Sequence, residues 1–127
     1  MKYRQFIVIM RVAVVIVLPC VLLTIGIIAY FSIDPPPVPL GLEVNGVPGP
    51  NSVPLTWNGV GSGVRYRVHW STNPDSSRNR SRLIDGTSLV VTGLTSNTIY
   101  YFWVSSSRIG RGSDVSPYIR SRTAGSD

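Results

Sequence analysis

The sequence predicts an all-β domain, a seven-stranded sandwich of two antiparallel sheets, preceded by one transmembrane α-helix. Three observations carry this. From Leu40 onward, apolar and polar residues alternate in short runs bounded by Gly, Pro and Asn, with no helical period. Val12 to Phe31 is twenty residues without a charge. The only cysteine, Cys20, lies in that apolar segment, so the remainder can form no internal disulfide or cysteine-based metal site and is held by its core alone.

A chain of 127 residues fits one domain plus an anchoring segment. Its 12 Lys+Arg against 6 Asp+Glu give a net charge of +6. Lys2, Arg4 and Arg11 precede the apolar segment, and nine arginines fall from Arg65 onward. The part from Asp34 onward therefore carries a net +3. That suits an acidic partner or anionic headgroups and is too weak to indicate nucleic acid.

In chain order, residues 1–11 form a short basic N-terminus. Residues 12–31 span about 30 Å as a helix, the thickness of one bilayer core. Tyr30 and Phe31 fall where an aromatic interface belt is expected, and Pro19 is a kink site. A cleaved signal peptide is the competing reading. The apolar run is longer than a signal core, and no small-x-small cleavage site follows it. A lipoprotein signal is the third reading, but Pro19 stands before Cys20 where that motif wants a small residue. The basic residues flank only the N-terminal end, which places Met1 in the cytoplasm and the C-terminal domain in the periplasm or outside the cell. Residues 32–39 contain Pro35-Pro36-Pro37 and Pro39 and are expected to form a polyproline linker of at most about 25 Å.

Residues 40–123 form the expected domain, and 124–127 a tail. The strands are read at Leu42–Val44, Val53–Trp57, Val64–Trp70, Ser77–Asp85, Ser88–Leu94, Tyr100–Ser107 and Tyr118–Thr123. Tyr66, Val68 and Trp70 share one face of the third strand, with Arg65, Arg67 and His69 on the other. In the sixth, Tyr100, Phe102 and Val104 alternate with Tyr101, Trp103 and Ser105. Gly110-Arg111-Gly112 is read as a flexible loop before the last strand. Leu94 closes the fifth strand and Tyr100 opens the sixth, the spacing of a tyrosine corner, in which the hydroxyl bonds to upstream backbone. A domain this size buries about 60–65% of its unfolded surface, enough for a core without disulfides.

On these residues, from about Pro36 to Thr123, the chain resembles a fibronectin type III domain. The resemblance rests on Trp57, Tyr66 to Trp70, the Leu94-to-Tyr100 corner, Tyr100 to Val104, and the Gly110/Gly112 loop. It implies that Trp57 is the central core residue and that the module is non-enzymatic. Ser96 stands where the family usually has Pro. Arg111-Gly112-Ser113-Asp114 interrupts the Arg-Gly-Asp tripeptide used by some members, so integrin binding is not carried over.

The residue chemistry agrees with a binding module. His69 is the only histidine, and no paired acids, phosphate-cradling loop or metal-ligand cluster is found, so no catalytic residue, cofactor or metal is expected. In a sandwich of this kind the third, sixth and seventh strands are neighbours, with the fourth at the edge. Their outward residues are Arg65, Arg67 and His69, then Tyr101 and Trp103, then Arg120 and Arg122, bordered by Arg78, Arg80 and Arg82. Arginine, tyrosine and tryptophan are the residue types enriched at interface hot spots. Trp103 and Tyr101, flanked by Arg67 and Arg120, are the expected centre of a protein–protein contact. The competing reading is a self-satisfied ladder of cross-strand pairs. Asn79-Arg80-Ser81 is an N-glycosylation sequon, meaningful only in a eukaryotic secretory pathway.

The expected partners are the lipid bilayer and a larger integral membrane protein complex, with no nucleic acid. The expected function is that of a membrane-anchored accessory or structural subunit. The alternative is a free-standing cell-surface binding or adhesion protein that recognises an external ligand. The stiff proline segment favours the first.

Overall fold

The computed structural model describes residues 34–75 and 79–127. The expected N-terminus at 1–11, the membrane helix at 12–31 and Arg78 lie outside the described residues. The chain divides near Asp34, and Pro35–Asp127 forms one compact unit.

Among the described residues that unit has eight strands: β1 (Glu43–Val44), β2 (Val53–Thr56), β3 (Arg65–Ser71), β4 (Arg80–Ile84), β5 (Ser88–Val91), β6 (Ile99–Arg108), β7 (Arg111–Gly112) and β8 (Ile119–Arg122). They form a three-stranded sheet in the order β1-β2-β5 and a five-stranded sheet. In the latter β4, β3 and β6 follow one another, and β7 and β8 both pair with β6. Every pairing is antiparallel. The expected neighbourhood of the third, sixth and last strands is therefore present, with β4 at the edge.

Alternation decides which side chains enter the core. Val53, Leu55 and Trp57 from the smaller sheet, and Tyr66, Val68, Phe102 and Val104 from the larger, are buried in one cluster with Val91 and Leu94. Trp57 is 4% exposed and packs its ring 5.8 Å from that of Tyr66, as the central core position requires. At the corner, the Thr95 N–H donates to the Tyr100 hydroxyl at 2.9 Å. Thr123, also buried, ties the same loop by donating its hydroxyl to the Thr95 carbonyl at 2.6 Å and accepting from the Thr98 N–H at 3.0 Å. Ser96 in place of Pro leaves the corner closed.

Two expectations change. The seventh strand is two. β6 and β7 form a hairpin whose two central residues, Ile109 and Gly110, both have positive φ, 48° and 74°, the backbone of a tight primed turn. Arg111–Gly112 is thus paired strand, not free loop. Beyond it hydroxyls supply half of the ladder: the Ser113 and Ser116 N–H groups donate to the Ser106 and Val104 carbonyls, both at 2.8 Å, while Ser106 N–H donates to Ser113 Oγ at 2.9 Å and Val104 N–H to Ser116 Oγ at 3.0 Å. A serine side chain accepting the bond where a backbone carbonyl would stand breaks the regular strand between β7 and β8.

The proline segment also belongs to the sandwich. Pro36 and Pro39 are buried, and the Pro37 carbonyl accepts a hydrogen bond from the buried Ser106 hydroxyl at 2.7 Å. Residues 36–39 are therefore tied to the domain by two buried prolines and the bond to Ser106 instead of spanning free as a linker.

Candidate interaction surface

The face of the five-stranded sheet that turns away from the core is positioned by β6. Because Tyr100, Phe102 and Val104 point inward, Tyr101, Trp103 and Ser105 point outward. Register then sets their neighbours. Tyr101 stands opposite Ser71 of β3 and Arg120 of β8. Trp103 stands opposite His69 of β3, and Tyr118, which precedes β8, approaches from the other side. Arg67 is opposite Ser105, Arg65 opposite Ser107, and Arg122 opposite Ile99.

The outcome is an aromatic ridge. The Tyr118 ring meets Tyr101 edge-on at 5.2 Å between centroids and Trp103 at 6.1 Å. Such edge-to-face pairs are favoured by the ring quadrupoles. Trp103 is only 9% exposed although it projects from the outer face, while Tyr118 is 51% exposed. The expectation that Trp103 faces solvent between Arg67 and Arg120 is thus corrected. Its neighbours are His69 and Tyr118, and the two arginines stand one row further out at opposite ends of the ridge.

Arg80 and Arg82 do not border this face. They pair with Trp70 and Val68, whose side chains point inward, so the outward residues of β4 are Ser81 and Leu83. Arg80 instead helps line a cleft of about 290 Å³ with Trp70, Leu94 and Tyr100.

Arg65 makes an ion pair with Asp85 at 2.6 Å, both side chains largely in solvent, a contact worth at most about 1 kcal/mol. Arg67 donates to Ser81 Oγ at 3.1 Å and Arg122 to Asn97 Oδ1 at 3.3 Å, both neutral acceptors. Among the described residues no other arginine is in an ion pair.

His69 Nε2 lies 3.3 Å from Ser105 Oγ, while Nδ1 is buried without a hydrogen-bond partner. Burial, and then the charge of Arg67, hold its pKa below the ordinary histidine value. The Asn79 side chain pulls the other way, but the unpartnered Nδ1 leaves burial dominant. Burial thus favours the neutral form of an imidazole that stands opposite Trp103. Among the described residues no three His, Cys, Asp or Glu side chains gather as metal ligands.

Tyr118 is the contributor that sequence reasoning did not single out. Its signal was parity, since it precedes Arg120 and Arg122 at even spacing in the last run.

A sandwich of two antiparallel sheets, with an aromatic and basic outer face, defines a binding or structural module of the immunoglobulin-like class. The chain belongs to the fibronectin type III family, whose sequence model matches residues 35–122. Domains of this family are interaction and structural modules. Among solved structures, the chicken CNTN1 FN1–FN3 fragment is similar, with 22% identity over 72% of this chain and a TM-score of 0.64. This chain spans 33% of that fragment. A fragment of titin matches with 26% identity, 72% of this chain, 33% of its own length and a TM-score of 0.62. The domain of human fibronectin type III domain containing protein 3 has 16% identity, 75% and 92% coverage, and a TM-score of 0.65. No curated protein matches the sequence.

Proposed function

We propose that the chain is a non-catalytic accessory subunit. In this reading residues 12–31 anchor it in the bilayer with the N-terminus in the cytoplasm. The fibronectin type III domain, in the periplasm or outside the cell, docks onto a larger membrane protein complex. The observation that carries the reading is the outer face of the five-stranded sheet. It presents a half-exposed tyrosine, Tyr118, on a ridge with Tyr101 and Trp103, between Arg65 and Arg67 at one end and Arg120 and Arg122 at the other. An aromatic centre with an arginine rim is the composition of an interface hot spot. The anchor rests on the twenty uncharged residues and the basic flank before them.

Gentle detergent extraction followed by native gel electrophoresis tests this. The chain is expected to co-migrate with a much larger assembly, and Tyr118→Ser to release it while circular dichroism stays unchanged. Migration as a free chain would refute the accessory-subunit reading in favour of a free-standing surface protein.

A further inference from the structure

We propose that the outer face of the five-stranded sheet takes an extended acidic segment of a partner protein, with carboxylates at its two ends and an apolar side chain between them. This rests on the reading of that face as a docking surface and names its occupant.

Charge is the first argument. The carboxylate side chains of the chain are Asp34, Glu43, Asp75, Asp85, Asp114 and Asp127, all among the described residues. Among the described residues, only Asp85 is in an ion pair, with Arg65. Arg67, Arg120 and Arg122 are exposed and have no carboxylate of their own. Three exposed guanidinium groups on one sheet face, none with a carboxylate partner, are free to meet an anion.

The kind of cation is the second. From Asp34 onward every basic residue other than His69 is arginine, and the single lysine is Lys2. A guanidinium presents a planar fork that fits a carboxylate bidentately and stacks on aromatic rings, whereas an ammonium is a point charge. Arginine is enriched and lysine depleted at protein interfaces. A net charge of +3 over the domain is small for holding a polyanion by long-range attraction.

Placement is the third. Arg120 sits beside Tyr101 and Arg67 beside Ser105, on strands either side of β6. Four residues along the strand and two strand spacings across put their backbones about 16 Å apart. Tyr118 stands on the ridge between them, 51% exposed. An extended chain covers about 16 Å in about five residues. Two acidic side chains so spaced reach both corners, and the residue between them rests on Tyr118.

The probe is a synthetic peptide, acetyl-EGSLGE-amide, titrated into the full chain in neutral detergent and followed by amide NMR. Shifts are expected at Tyr101, Trp103 and Arg120. Binding should weaken at least about tenfold when both glutamates become glutamine, and likewise in the Arg67→Gln/Arg120→Gln variant, because charge-assisted contacts are lost. Arg80→Gln/Arg82→Gln, on the other side of the sheet, should change it less than about twofold. No binding, equal binding of the glutamine peptide, or tighter binding to phosphatidylserine vesicles or duplex DNA would each overturn the proposal. The native assembly separates the two levels. If Tyr118→Ser releases the chain and Arg67→Gln/Arg120→Gln does not, the docking surface stands and its acidic occupant is wrong. If neither variant releases it, both are wrong.

Discussion

Replacing Trp57 with alanine removes the largest side chain of the core, and the structure sets the size of the loss. Trp57 is 4% exposed, directly after β2, with its ring tilted 58° against Tyr66. A buried aromatic of this size covers about 150–250 Å², which at about 25 cal/mol per Å² is about 4–6 kcal/mol. One term opposes this. The indole Nε1 is buried without a hydrogen-bond partner, a state that costs about 1–3 kcal/mol and is relieved on truncation. The two terms net to about 1–5 kcal/mol, and the cavity left behind moves the expectation to the upper part of that range, about 3–5 kcal/mol, in line with large aromatic truncations. That is a large part of the roughly 5–15 kcal/mol that holds a typical domain together. Trp57→Phe separates the terms. It keeps a ring against Tyr66 and discards the unpaired N–H, so the loss should stay within about 1.5 kcal/mol. Urea denaturation of Asp34–Asp127, followed by far-ultraviolet circular dichroism, measures both. A loss below about 1 kcal/mol for alanine would mean that the core is not centred on Trp57. A phenylalanine variant as damaged as the alanine one would mean that the indole N–H is paired after all.

Tyr100→Phe should cost about 1–2 kcal/mol in the same assay, because the Thr95 N–H loses its acceptor at the corner; no change would show that water replaces the hydroxyl fully. Ile109→Asn should stabilise by about 1 kcal/mol, since a β-branched residue at φ 48° on a 71% exposed turn is strained and asparagine tolerates that backbone. Destabilisation there would point to a packing role for the isoleucine. His69 is held below its ordinary pKa by burial and then by Arg67, so the unfolded chain takes up the proton first. Stability should therefore be full above about pH 6.5 and fall as pH drops below it, by at most about 1.4 kcal/mol per pH unit from this group. His69→Gln should flatten that slope, and an unchanged slope would assign it to other groups.

The sandwich was legible because alternation is a property of sequence. Tyr66, Val68, Phe102 and Val104 are buried where period two puts them, and Tyr100 closes the corner that its distance from Leu94 implied. What escaped depends on partners distant along the chain. Nothing local marks Ser113 and Ser116 as stand-ins for backbone acceptors, since their roles exist only beside Ser106 and Val104. The proline run reads as a spacer until Ser106 supplies a donor to Pro37 across 69 residues. Parity in β4 depends on its register with β3, and so Arg80 and Arg82, expected to border the outer face, stand on the side of Trp70 and Val68. On the outer face, the residue types were legible and their adjacency was not. Which side chains flank Trp103 is fixed by the pairing of β6 with β3 and β8.

That adjacency changes how the outer face must be probed. A solvent-facing tryptophan could be removed with little effect on folding, so Trp103→Ser would report on partner binding alone. Trp103 is instead 9% exposed, covered by Tyr118 and facing His69. Its truncation uncovers the neighbouring rings and should destabilise the domain by about 2–4 kcal/mol, as for a buried aromatic that keeps some solvent contact. Tyr118 lies on top of the same stack and is half in water, so Tyr118→Ser should cost no more than about 1 kcal/mol. The double variant should lose less than the two single losses together, by about 0.5–1.5 kcal/mol, because one edge-to-face contact serves both rings. Denaturation of the four proteins decides this. Strict additivity would mean that the rings do not support one another. A Trp103→Ser protein as stable as the parent would restore that residue as a clean binding probe, whereas the expected result leaves Tyr118 as the side chain whose loss separates docking from folding.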